Sequence, residues 1–410
     1  MINSKSKTPV RTPCMALAGS VWLAILFCLT FSTAQAQTFT VIRAFTNKGD
    51  AAYPYRALLL DQNGVFYGTT TGGGSYDYGA VFQLNPDGKD KVLHSFWGLD
   101  GISPYSTLIR DKYGNFYGTT YDGGTAEGGA CFHGCGTVFK LEPSGKLVVL
   151  YVFTGGSDGG QPQAGLVMDI SGNLYGTTTI GGDLNCRYGW GCGVVFKLGL
   201  DGHETVLHAF SGQPDGWYPT GELVPAKKGG FYGVTWFGGD ADYGTIYKIT
   251  STGKVTVLYS FQGLSTGEYP NGPIVRDSRG NFYGTTTNGG TQNYGTVFKI
   301  DSHGNETVLH SFTGAPDGYA PYASVTLDNQ GNLYGVTIWG GSSTGCGTIF
   351  KVDGSGNETV LYSFAGTTDG SEPQGRLILD TAGNLYGTAP GGGDPSCRYG
   401  GCGTVFKLAP

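Results

Sequence analysis

Carboxylates, imidazoles and aromatic rings are the groups in this chain that could bind or react, and they recur at fixed places. Asp50, Asp100, Asp158, Asp215, Asp317 and Asp369 each stand four residues before a proline, mostly as D-G-x-x-P, with Thr266 at the same place in one copy. A ring of carboxylates could hold a cation, but Asp before Gly is turn chemistry, in which the side chain accepts local backbone N–H groups. The turn is the expected role. His94, His208 and His310 share one position in a recurring apolar segment where Tyr151, Tyr259 and Tyr362 stand in other copies. "GSSTG" (341–345) satisfies G-x-S-x-G but lies in a glycine loop, not at a strand-to-helix elbow, so no nucleophile is expected there. The sequence holds no HExxH, Walker or dinucleotide-binding phrase. Catalytic residues are therefore not assigned, and neither a metal site nor a cofactor is expected.

One group of residues breaks its repeat. Trp190 with Tyr188, Trp217 with Tyr218, and Trp236 with Phe237 fall near Asp215, Glu222, Asp240 and Asp242. Rings beside carboxylates suit stacking on sugar faces with hydrogen bonds to hydroxyls. The same rings could instead pack between units of the fold. Tyr188, Trp190, Asp215, Trp217, Tyr218, Trp236, Phe237 and Asp240 form the candidate ligand-binding set.

The elements that must position these residues come from the repeat. "GNLYGTTTIGG" (172–182) returns with small changes from Gly64, Gly114, Gly229, Gly280, Gly331 and Gly383. Within 272–312, "GPIVRD", "NFYGTTT", "GTVFKI" and "ETVLHSF" read as four short strands joined by Asp/Gly/Asn turns, which makes one antiparallel sheet. Seven such sheets predict an all-β, seven-bladed propeller over residues 37–410. The chain ends on a third strand, "GTVFKLAP", and the mature part starts with "TFTVIRAF" (38–45), which matches fourth strands. The N-terminal strand is expected to complete the last blade and close the ring. Outer strands of separate blades cannot meet, so a metal site built from the three histidines is not expected. Irregular loops fall only between second and third strands and between blades, which predicts one plain face and one decorated face.

The phrase "GNLYGTT…GG…YGTVFKL…TVLHSF" resembles the GloVer tandem repeat of "choice-of-anchor" secreted bacterial proteins, over nearly the whole mature chain. Its double glycine followed by Tyr is also similar to kelch repeats, without the Trp of their third strand. The resemblance implies an exported protein. Members of the family often carry a C-terminal sorting anchor; the residues before Pro410 hold none, so surface attachment does not follow from it.

Residues 1–36 read as a secretory signal: Lys5, Lys7 and Arg11, then an apolar run, then "AQA" before Gln37. A secreted, periplasmic or cell-surface location is expected, with no membrane span after cleavage. Without Lys5, Lys7 and Arg11, the 25 basic residues become 22 against 31 acidic ones, a net charge of −9. Nucleic acid and anionic membranes are poor partners for such a surface. Export favours oxidation, so Cys131/Cys135, Cys186/Cys192 and Cys397/Cys402 are expected as local disulfides, with Cys346 outside these three pairs. The leading expectation is a monomeric, non-catalytic binding propeller whose decorated face takes a glycan or another extracellular ligand. An extracellular hydrolase or lyase with loop-borne carboxylates is the alternative, and a structural surface protein is the third.

Overall fold

The glycine in each Y-G-T segment is required by packing. In the second strand of six blades, a Cβ at this position would lie 2.5–2.7 Å from a third-strand Phe ring, as Gly68 does against Phe82. The ring lies on bare backbone, which no larger residue permits. Blade 4 has Tyr247 in place of Phe, and its buried hydroxyl has no hydrogen-bond partner among the described residues. These contacts are seen in a computed structural model that describes residues 37–124, 131–227, 229–397 and 400–410. The signal segment expected over 1–36 lies outside the described residues.

Seven antiparallel sheets of four strands or more follow one another around the ring. Blade 1 comprises Leu59–Leu60, Phe66–Thr70, Ala80–Leu84 and Asp90–Ser95. Blade 7 comprises Ile378–Leu379, Leu385–Ala389, Thr404–Ala409 and, as its outer strand, the N-terminal Thr38–Ala44. That closing strand pairs from Thr38↔Ala409 to Ala44↔Thr404 and carries the register shift seen between third and fourth strands in the other blades. The ring is closed as the repeat predicts.

The core is a set of wedges between blades. A fully buried Phe ends each outer strand and meets the next blade's third-strand ring edge-on, with centroids 5.1–5.2 Å apart in all seven junctions. Phe45 of the closing strand makes this contact with Phe82 of blade 1. Such edge-to-face pairs add about 0.5–1.5 kcal/mol each beyond the area they bury.

Plain-face aspartates are turn caps. Asp61, Asp111, Asp169, Asp277, Asp328 and Asp380 accept backbone N–H groups of their own turns and a second-strand tyrosine hydroxyl. The link aspartates do the same on the other face: Asp50, Asp100, Asp158, Asp215, Asp317 and Asp369 accept an N–H three or four residues back at 2.7–3.2 Å. Each also takes a donor from the preceding outer strand: Arg43, His94, Tyr151, His208, His310 or Tyr362. Where Thr266 replaces Asp, Glu268 caps Leu264 N–H at 2.9 Å and Tyr259 donates to Glu306 instead. The three histidines stay at separate junctions.

Some junctions add a second carboxylate from the next blade. Burial pushes Glu204 up to about 7, with Asp158 adding to the effect. A folded-state value above the unfolded one means the folded protein holds the proton more tightly, so stability falls as pH rises toward 7 and stays lowered above it. Glu204→Gln should therefore raise stability at about pH 8 by on the order of 1 kcal/mol after solvent screening, and change it little at about pH 4. Denaturant melts at both pH values measure this. An equal effect at both would show that charge is not the cause.

Candidate functional site

The links between blades and the loops after second strands lie on one face and pair with each other, as in Ala51–Ala52 against Gly72–Gly73 and in the bridges Ile102↔Asp122 and Tyr319↔Trp339. The residue before each link proline is left-handed although none is glycine: Tyr53, Ser103, Gln161, Tyr218, Tyr269, Ala320 and Glu372 have φ of 51–63°. Such a conformation costs roughly 1 kcal/mol or more per residue. What holds it is a hydrogen bond across the junction. Each of these N–H groups donates, at 2.7–3.0 Å, to a carbonyl just before the third strand of the preceding blade. The proline then fixes the next φ and aims the residue after it at the axis.

Those aimed residues are Tyr55, Tyr105, Gln163, Thr220, Asn271, Tyr322 and Gln374. Below them the axial channel, lined by Arg56, Thr107, Glu222, Ser324 and Arg376 among others, narrows to about 30 Å³. That space suits a water or two and no larger ligand. Above it, Tyr55, Thr71, Ser103, Tyr105, Tyr121 and Gln163 line an open cavity of about 310 Å³. Small-molecule sites range over roughly 300–1,000 Å³, so the mouth is at their lower end.

Polar contacts fix the mouth. The Arg56 guanidinium sits 4.4 Å over the Tyr105 ring, and its Nε donates to the Tyr105 carbonyl at 3.0 Å. Gln163 Nε2 donates to the Tyr218 hydroxyl, and the Tyr121 hydroxyl donates to Gln161, both at 3.0 Å. Burial pushes Tyr55 and Tyr121 up to about 12, with neighbouring tyrosines adding to it. It raises Tyr105 and Tyr322 as well. The tyrosines of the mouth are therefore neutral hydroxyls that can both donate and accept.

The candidate residues divide around this mouth. In blade 4 the second strand runs on through Trp236 and Phe237, and Phe237 pairs across to Trp217. Trp217 is parallel to Phe237 at 4.1 Å and lies 4.2 Å from the Arg187 guanidinium. Two groups that close to one ring must take opposite faces. Its indole N–H donates to Asp242 at 3.0 Å, so Trp217 is a clamped ring. Trp236 instead meets Tyr322 edge-on at 5.4 Å and Tyr218 at 5.9 Å, which joins it to the axial group. Tyr188 and Trp190 project from the disulfide loop of blade 3, with Tyr188 fully exposed. Asp215 is occupied by His208 and Ser211; burial would raise it, but those hydrogen bonds hold it below the ordinary value. Asp240 is exposed at the rim, its N–H donating to Ser260.

Tyr55, Tyr105, Tyr121, Tyr322, Arg56 and Gln163 were not in the candidate set. The signal that could have found Tyr55, Tyr105, Tyr322 and Gln163 is the residue after the link proline, which changes among Tyr, Gln, Thr and Asn while the link around it repeats; Arg56 and Tyr121 lie outside that position.

The disulfides Cys131–Cys135, Cys186–Cys192 and Cys397–Cys402 are present and fit an oxidising compartment. Among the described residues no helix is long and apolar enough to cross a membrane.

Among solved structures, the chain is similar to the extracellular domain of a proposed one-component system from B. thetaiotaomicron, at 14% identity and a TM-score of 0.55. That likeness covers 91% of this chain and 41% of the other, and it shows the propeller fold. A luciferin-regenerating enzyme is similar at 13% identity and a TM-score of 0.47, covering 91% of this chain and 95% of that one. A gluconolactonase from Xanthomonas campestris is similar at 15% identity and 0.38, covering 67% and 78%. None of the curated proteins matches. The Gloeobacter/Verrucomicrobia repeat matches residues 18–134, 133–276 and 264–410, and the chain belongs to that repeat family.

Proposed function

We propose that this exported propeller binds a polyhydroxylated extracellular ligand, a glycan, across the axial mouth of its decorated face, without catalysing a reaction on it. One observation carries the reading: the neutral hydroxyls of Tyr55, Tyr105 and Tyr121 converge with Gln163 on one open cavity, the Arg56 guanidinium lies over the Tyr105 ring, and the Trp236 ring packs against Tyr322 of the axial group. The fold does not need tyrosine there, since Gln163, Thr220, Asn271 and Gln374 serve the same link position in other blades. Rings at the wall offer faces for stacking on a sugar, and neutral hydroxyls and amides match its hydroxyl groups.

The test is retention on a broad panel of immobilised polysaccharides. Wild-type protein should be retained on at least one. Trp236→Ala should weaken that retention about tenfold, and Tyr105→Phe several-fold through loss of a single hydroxyl. Retention on none of the panel would overturn the glycan reading. Release of new reducing or unsaturated ends would move the assignment to a hydrolase or lyase.

A further inference from the structure

The seven blade junctions form an internal comparison at the circumference, away from the mouth. Three positions meet at each: a residue of the preceding outer strand, the link residue, and the first residue of the next outer strand. At the junction of blades 7 and 1 these are Arg43, Asp50 and Asp90, and the guanidinium bridges the two carboxylates at 2.8 and 3.1 Å. Two carboxylates placed this close call for a cation between them.

At the junction of blades 5 and 6 the same two positions are again acidic, Asp317 and Glu358, but His310 stands where Arg43 does. A His310 ring nitrogen, an Asp317 oxygen and a Glu358 oxygen all lie within 4.8 Å of one another. The sister histidines have no such partner: the next outer strand begins with Leu147 beyond His94 and with Val255 beyond His208. There the imidazole makes one short contact to its aspartate, 2.7 Å in both cases. His310 instead faces both Asp317 oxygens, at 3.1 and 3.3 Å. Among the described residues, the buried Glu358 Oε1 has no hydrogen-bond partner.

We propose that His310, Asp317 and Glu358 form a divalent metal site of the zinc type that clamps blade 5 to blade 6. One imidazole and two carboxylates are a borderline ligand set suited to zinc, with a fourth position left for water. Zinc bonds of 2.0–2.2 Å put tetrahedral ligand atoms about 3.4 Å apart, so the long Glu358 side chain needs only a small adjustment. Asp317 Oδ2 is held by the Thr313 N–H and hydroxyl at 2.8 and 3.0 Å, which leaves Oδ1 for the metal and fixes its direction. The His310 ring is set edge-on to Phe312 at 4.8 Å.

The test uses the full mature chain stripped of metal and then given Zn²⁺ alone, with bound zinc counted after desalting and thermal melting recorded. One zinc per chain and a raised melting temperature are expected, both reversed by chelator. His310→Gln and Glu358→Gln should each weaken zinc binding more than about tenfold, while His94→Gln leaves it unchanged. Absence of bound zinc in the wild type, or zinc bound equally by Glu358→Gln, would overturn the site. Because the wild type and the His94 variant are read alongside, misfolding of one variant cannot rescue it.

Discussion

Deleting residues 37–46 is expected to leave a chain that aggregates or melts far below the intact protein. The segment carries the whole outer strand of blade 7. It removes Phe45, fully buried against Phe82, and Phe39, whose ring stacks on Tyr362 at 3.8 Å. Loss of the buried Phe45 alone costs about 3–5 kcal/mol, and loss of the partly buried Phe39 adds to it, against the roughly 5–15 kcal/mol that holds a domain folded. Arg43 goes too, leaving Asp50 and Asp90 facing each other. The strand Thr404–Ala409 becomes an open edge, a template for pairing with other chains. Thermal melting and size-exclusion chromatography measure the outcome. A truncated protein that melts at the same temperature would contradict closure by this strand.

Trp217→Ala is expected to lower stability by about 3 kcal/mol, while Trp236→Ala lowers it by less than about 1 kcal/mol. The two rings are 19 residues apart in one blade, and their surroundings separate them. Trp217 is held on both faces and by its N–H, so truncation leaves Arg187 with only the more distant Tyr218 ring and Asp242 without its indole donor. Trp236 makes edge contacts at the mouth and a longer parallel contact to Phe237 at 6.0 Å, and among the described residues no hydrogen bond fixes its indole. Sequence alone treats the pair alike, as two departures from the repeat. Denaturant melts of the single variants decide, and equal losses would show that Trp236 is also a packing ring.

The ring was legible because a repeat exposes its own register. Seven copies of the Tyr-Gly-Thr phrase set the blades, and the complementary ends, "TFTVIRAF" and "GTVFKLAP", showed how they close. Symmetry also assigned the link aspartates to turns, where the structure finds them. The aromatic run of blade 4 was visible because it breaks the pattern. Whether a ring there is clamped or open depends on Arg187, 30 residues earlier, and spacing carries no trace of that contact. The axial tyrosines were hidden for a related reason. Tyr55, Tyr105 and Tyr322 come from blades 1, 2 and 6, and only closure of the ring brings them together. His310 and Glu358 likewise meet across two blades, 48 residues apart.

Oxidative footprinting with and without a retained saccharide measures, residue by residue, where that saccharide touches the protein. Protection should centre on Tyr55, Tyr105, Tyr322 and Trp236, with Tyr188 and Trp190 labelled as strongly as before. Protection confined to Tyr188 and Trp190, or to the rim, with the axial tyrosines unchanged, would contradict binding at the mouth.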